Sequence, residues 1–443
     1  MLSRMAAIVF IFLCTAVAWG VLGSTVMMRT NNQDSMLKGA VSQLWGAPQQ
    51  QLAPSVYYQT VEQVKVQTTE GNKTVIKTEK QTTDHPILLD ASDLNIRLGL
   101  EHRQKGLLWY SVYRVQFDGK YRVTNYTEAE REFLFDFALP AEKTASQSSR
   151  DYSAGQSGVA PGGVYDNFRF IVGGKEMTNL QFKNGKVWAG ARLAPGKSET
   201  VEISYGSQGM DEWWYDFGQN VSQAKNFSLT MQTDFDQIDF PQTSLSPTQK
   251  IQRDNGWELK WQYANLLSGV KIGMLMPHKL NPGPWVSEVS FAAPVSLFLF
   301  FFVIFMLTTI RKIKLHPMNY FFLGAAFFSF HLLLAYLVDH ISIHKAFLIC
   351  SAVSIFLVVS YLRLAVGNRF AFVEAGILQF VYLVLFSYTF FFERYTGLAI
   401  TILCILTLFI AMQFTGRVDW DTLFRRNGSV PRAVASGAAE AVS

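Results

Sequence analysis

Cysteine is nearly missing from this chain. Only Cys14, Cys350 and Cys404 occur in 443 residues, and each falls inside an apolar stretch. No pair flanks a polar loop, so neither a disulfide framework nor a thiolate metal site is expected. The polar middle of the chain has no cysteine at all and must be held by an ordinary core. Charge is scarce as well: Asp, Glu, Lys and Arg make up 16% of the residues, against about a quarter in a soluble globular protein. The net charge of +5 is too weak to argue for nucleic acid. Nucleophile elbows, Walker loops, zinc-protease motifs and dinucleotide fingerprints are all absent. The pairs Gly162-Gly163 and Gly173-Gly174 open no phosphate-binding turn and read as structural turns. We therefore expect no enzyme, no catalytic residue, no cofactor and no metal.

What is present is long apolar sequence. Hydrophobic residues reach 49% and mean hydropathy is +0.14. A helix needs roughly 20 apolar residues to cross the hydrocarbon core. Six stretches meet or approach that length, at 6–28, 289–310, 320–338, 346–362, 370–392 and 397–415. The fourth is short, but Lys345 and Arg363 at its ends can snorkel and extend it. Basic residues set the orientation. Arg4, then Arg311, Lys312 and Lys314, then Arg363 and Arg369, then Arg417, Arg425 and Arg426 all fall on one side if six helices cross. The intervening loops around Asp339–Lys345 and Glu393–Tyr395 are poorer in basic charge. Both termini are thus expected in the cytoplasm and the polar middle outside. The first stretch also reads as a cleavable signal, with Arg4 before it and Ala16-Val17-Ala18 resembling a cleavage site. Its apolar run continues through Met28, which favours a retained anchor.

Residues 30–288 read as β-rich. Short runs of Val, Thr, Tyr, Phe and Trp alternate with turn signals such as Gly71-Asn72, Asp118-Gly119, Gly173-Gly174 and Pro195-Gly196. That pattern predicts a sandwich or two stacked sheet modules. Asp118-Gly119 is expected to turn the strand 107–117 back into 121–123. A segment poor in large apolar residues, 144–163, is expected to be a mobile loop or linker. Residues 33–46 carry apolar residues at helical spacing, so a short helix is expected to continue from the first apolar segment. The tail, 416–443, is expected to be cytoplasmic and mostly disordered beyond Asn427. The expected fold is a multi-pass α-helical membrane protein: an N-terminal anchor at 1–29, a large β-rich, sandwich-like periplasmic domain at 30–288, and a five-helix cluster at 289–415.

A few residues stand out as candidates. Asp339, His340 and His344 sit between the third and fourth helices. The two imidazoles, at i and i+4, could share a metal if that loop were helical; an interfacial polar loop is the plainer reading. His331 lies within the third helix, where polar groups are rare and often functional. A hydrogen bond to a neighbouring helix is its expected role, with proton relay or ligand contact as the rival. Glu374 is expected to pair locally with Arg369. Trp213, Trp214 and Tyr215 could stack on a sugar ring or dip into the membrane interface, against core packing as the alternative.

From about residue 266 onward the chain resembles the CreD family of bacterial inner-membrane proteins, which are linked to cell envelope integrity. The resemblance rests on Leu266-Leu267-Ser268-Gly269, Asn281-Pro282-Gly283-Pro284, Phe291-Ala292-Ala293-Pro294-Val295-Ser296-Leu297, Leu315-His316-Pro317-Met318-Asn319-Tyr320, Asp339-His340-Ile341 and Thr415-Gly416-Arg417-Val418-Asp419-Trp420. In the polar region it is looser, carried by Asp84-His85-Pro86 and Arg103-Gln104-Lys105-Gly106-Leu107-Leu108-Trp109-Tyr110, so this chain looks like a divergent member. The resemblance implies envelope maintenance and no catalytic residues. The expected partners are the lipid bilayer and an envelope component of unassigned chemistry, whether glycan, lipid or protein. A transporter or flippase component is the alternative.

Overall fold

The computed structural model describes residues 2–70, 73–142, 163–178, 180–183, 185–218, 222–392 and 394–416. The expected linker at 144–163, apart from Gly163, and the tail beyond Gly416 lie outside them. Two compact units emerge, one of residues 1–31 with 282–443 and the other of residues 32–281.

The first unit is helical. Six helices are long and apolar enough to cross a membrane: α1, Leu2–Trp45; α2, Pro282–Ile310; α3, Pro317–Leu337; α4, Ile343–Ala365; α5, Phe370–Phe391; and α6, Thr396–Thr415. Where helices meet, small and hydroxylic side chains hold them, as in a medium where apolar surface gives no drive to associate. On α2, Ser287 donates to the Gly23 carbonyl of α1 at 2.9 Å, and Phe291 fills the space a side chain at 23 would need. Ser354 of α4 donates to Ala326 of α3 at 2.8 Å, and Ser296 of α2 donates to the Tyr382 carbonyl of α5. Trp285 of α2 donates from its ring to the Phe390 carbonyl at 3.1 Å. The other sides of the helices carry bare apolar residues, among them Phe10, Val17, Ile402, Ile405 and Phe409. A contiguous apolar exterior of that kind is stable only against lipid.

The second unit is β-rich and holds the last turns of α1. Its eight-stranded sheet runs, in spatial order, Gln249–Arg253, Gly256–Ser268, Ser222–Thr233, Ala91–Lys105, Leu108–Thr124, Ser198–Met210, Tyr165–Val172, Lys175–Glu176. A five-stranded sheet runs Gln181–Lys183, Lys186–Leu193, Arg131–Ala138, Ser55–Glu70, Lys73–Ile87. A four-stranded sheet runs Ile272–Leu275, Glu212–Asp216, Gln49–Leu52, Ala141–Glu142. One apolar core joins all three, with Leu94, Ile96, Phe117, Tyr121, Phe133, Phe135, Phe137, Leu229, Trp213 and Met274 among its members. Pairing is antiparallel except for Gln49–Leu52 on Glu212–Asp216 and Ser222–Thr233 on Ala91–Lys105.

One sequence expectation changes here and another is met. Asp118-Gly119 is no turn: the strand Leu108–Thr124 runs straight through it, paired on both sides. A side chain at 119 would sit 2.9 Å from the rings of Phe117 and Tyr121, so the glycine makes room for two flanking aromatics. The helix expected at 33–46 is the end of α1 itself. Its last turns pack Leu37, Val41 and Trp45 on Leu108, Tyr110 and Met210. Polar contacts pin the same stretch: Tyr110 donates to Asp34 at 3.1 Å, Lys38 pairs with Asp211 at 3.4 Å, and Arg103 lies over the Trp45 ring.

Candidate functional site: the polar face of the eight-stranded sheet

The singled-out aromatics are not a surface. Trp213 is 0%, Trp214 5% and Tyr215 1% exposed, on the central strand Glu212–Asp216 of the four-stranded sheet. Trp213 and Tyr215 belong to the common core and the Trp214 ring lies against Gly273, so none of the three offers a face to a sugar or a bilayer. The two imidazoles do not form a metal pair. His340 lies in the turn after α3, whereas His344 is the second residue of α4 and stacks on Phe391 with ring centroids 4.8 Å apart. Asp339 pairs with Arg29 of α1 at 3.0 Å. Among the described residues no three His, Cys, Asp or Glu side chains gather as a metal site.

His331 is 1% exposed, but its hydrogen bond goes to the Phe327 carbonyl one turn back on its own helix, not to a neighbour. The ring meets Trp19 and Phe330 edge-on, at 5.4 and 4.8 Å, and Nε2 has no partner among the described residues. Glu374 also differs from expectation. Its carboxylate meets Arg311, just past the end of α2, because the guanidinium of the adjacent helix end reaches it.

Sequence reasoning missed Gln379. It is fully buried in α5, donates to Ser354 at 2.9 Å, and keeps its carbonyl oxygen without a partner among the described residues. It lies between two π-helical turns, Phe370–Ala375 and Phe380–Leu385. Such turns leave carbonyls poorly paired and often mark functional positions. No sequence pattern announces them.

Accessible polar chemistry gathers on the solvent side of the eight-stranded sheet. Period-two alternation sends Leu94, Ile96, Leu98, Val115 and Phe117 into the core, and therefore Asp93, Asn95, Arg97, Gln116, Asp118 and Lys120 outward. The register lines these up in rows across five strands. One row reads Gln232, Arg97, Gln116, Gly206, Asp166, and the next Thr230, Asn95, Asp118, Ser204, Arg169. A register shift between Ser204 and Gly206 marks a bulge where Ser198–Met210 pairs with Tyr165–Val172, near the edge of the sheet. Two depressions open on this face. One, of about 540 Å³, is edged by Arg97, Arg114, Gln208, Gln232 and Asp234. The other, of about 480 Å³, is edged by Asn95, Asp118, Lys120, Arg169 and Glu202. Most of the charges pair across strands: Lys120 with Glu202 at 2.9 Å, Arg97 with Asp118 at 3.5 Å. Arg103 beside Glu101 holds that carboxyl below the usual carboxylate range. A surface so provided with donors and acceptors suits a hydroxyl-rich or ionic ligand.

The family model described as "Inner membrane protein CreD" matches residues 1–139 and 216–421 of this chain. The matched stretches supply Arg97, Arg114 and Gln232 to the sheet face, and the stretch between them supplies Asp166, Gly206 and Gln208. No curated protein matches the chain. One solved structure, described as a "putative nutrient binding protein" from Legionella pneumophila subsp. pneumophila str. Philadelphia 1, is similar at 9% identity. That likeness covers 57% of this chain and 76% of the other, with a TM-score of 0.29, and carries no argument.

Proposed function

Because this chain belongs to the CreD family of inner membrane proteins, we propose that it maintains the cell envelope without catalysing a reaction. In this reading the helices anchor it in the inner membrane with both termini in the cytoplasm. The β-rich unit stands in the periplasm and holds an envelope component there. The basic flanks at Arg4, Arg311–Lys314 and Arg363–Arg369 support that orientation. The observation that carries the binding role is the outward face of the eight-stranded sheet, which no described residue covers, with its two adjoining depressions. A face built only for solubility needs no such recesses. The test is deletion of the gene: cells should lose resistance to detergents and envelope-active agents, and the wild-type gene should restore it. Unchanged resistance in the deletion strain would sink the reading.

One observation favours a second reading, a transporter or flippase component. Gln379 and His331 each keep a buried polar atom without a partner among the described residues of the helical unit, and polar groups at that depth are costly unless used. This reading predicts that Gln379→Leu and His331→Leu each abolish complementation. Full function in both variants removes its support.

A further inference from the structure

We infer that the depression between Arg97 and Arg114 binds a carboxylate-bearing glycan laid across the strands of the eight-stranded sheet. The inference rests on the envelope reading above and names the ligand class for that face.

The floor of the depression is unusual. Gly206 stands in a row otherwise filled by long polar side chains, so the surface is recessed where it lies, whereas the space beside Gly99 is taken by the Asp234 carboxylate. Gly206 lies where the register against Tyr165–Val172 shifts, and a glycine in a strand marks a bulge or a close approach by another group. Its backbone is not left-handed, and the nearest described atom to an added Cβ would be the Asp166 carbonyl oxygen at 3.7 Å, so the recess it leaves is open.

The charges around that floor are unequally engaged. Of the two carboxylates at its edge, Asp234 accepts the Leu100 N–H at 2.8 Å and Asp166 accepts the Asn167 N–H at 2.9 Å. Among the described residues Arg97 and Arg114 have only long pairings, at 3.5 and 3.7 Å, and their side chains are 56% and 65% exposed. They sit diagonally on adjacent strands, since Arg97 pairs with Gln116 and Arg114 with Gly99. Diagonal neighbours of that kind lie about 7–8 Å apart at Cα, within joint reach of one anion. A guanidinium with free N–H groups matches a carboxylate bidentately.

The remaining edge selects the rest of the ligand. Gln116, Gln208 and Gln232 are exposed, and no side-chain amide of the three is hydrogen-bonded to a described residue. Amides offer a donor and an acceptor together, as sugar hydroxyls require. An acidic peptide fits less well, because extended peptides dock by adding to a strand edge, and the strands of this site are flanked on both sides within the sheet. The second depression on the same strands extends the surface beyond one ring, so an oligosaccharide suits it better than a monosaccharide.

The test uses the full chain in nanodiscs and isothermal titration calorimetry. The ligands are oligogalacturonides (acidic), cellohexaose (neutral) and a poly-glutamate peptide. Oligogalacturonide should bind, cellohexaose should bind at least tenfold more weakly, and added salt should weaken the acidic ligand. The Arg97→Ala/Arg114→Ala double variant should lose at least tenfold. Gly206→Phe should block binding by filling the floor, while Arg122→Ala, outside the depression, should not. Circular dichroism of each variant checks the fold, and the exposed arginines keep the test open should Gly206→Phe misfold. Equal binding of acidic and neutral sugars, preference for the peptide, no binding at all, or binding indifferent to both arginines would each overturn the site. Complementation separates the two claims. A double variant that no longer binds yet fully restores resistance leaves the envelope role standing and removes this site as its means.

Discussion

At Asp211 two demands meet in one residue. Its backbone is left-handed, at φ 63°, and burial pushes its carboxyl above the ordinary 3.8, with the Lys38 ammonium pulling the other way. The sign follows from proton linkage. Between 3.8 and its raised folded value the folded chain binds more protons at this site than the unfolded chain, so its stabilising contribution is full at lower pH and is lost as pH rises. Asp211→Asn should flatten that slope and leave stability at neutral pH within about 1 kcal/mol, since Asn tolerates a left-handed backbone. Asp211→Ala should cost roughly 1–2 kcal/mol, having neither the polar group nor that tolerance. Urea unfolding of the β-rich unit, followed by fluorescence across pH, measures both. Trp213→Ala should cost about 3–5 kcal/mol, because it opens a cavity in a shared core. Trp213 also shows where reading residues one at a time stops. An aromatic pair looks the same in sequence whether it faces a sugar or a core, and only the pairing of its strand decides. Gly119 misled for a related reason, since an Asp-Gly pair signals a turn until two flanking rings claim the space.

Among the elements, the membrane helices were the most legible, because apolar length is a local property. Their contacts were not. Glu374 finds Arg311 instead of Arg369, and Asp339 finds Arg29, 310 positions away in sequence. Asp339→Asn should lower the thermal midpoint of the helical unit in nanodiscs, at a cost of about 1 kcal/mol for a partly buried pair. Arg29→Asp combined with Asp339→Arg should recover most of that loss; failure to recover would mean the charges matter separately. The strands were legible from alternation, but their partners were not. Lys186–Leu193 and Ser198–Met210 flank Pro195-Gly196, yet they belong to different sheets. The turn carries the chain from one layer to the other, which no local pattern reveals. The candidate site inherits the same limit. Its arginines, glutamines and Gly206 come from four strands, and only long-range register assembles them.

For the whole molecule, composition alone separated a lipid-facing unit from a polar one. The proposed orientation makes a direct prediction. In a variant lacking the native cysteines, Leu267→Cys should react with a membrane-impermeant maleimide in spheroplasts, and Lys312→Cys only after permeabilisation. The reverse labelling would invert the topology. The central claim is that the exposed sheet face holds envelope material, and photocrosslinking in living cells tests it most directly. A photoreactive residue at Gln116, on the face, should yield adducts of heterogeneous mass that collapse on treatment with glycan-cleaving enzymes. One at Phe10, on the lipid-facing side of α1, should not. Adducts from Gln116 that resist those enzymes, or no adduct from Gln116 at all, would contradict the account.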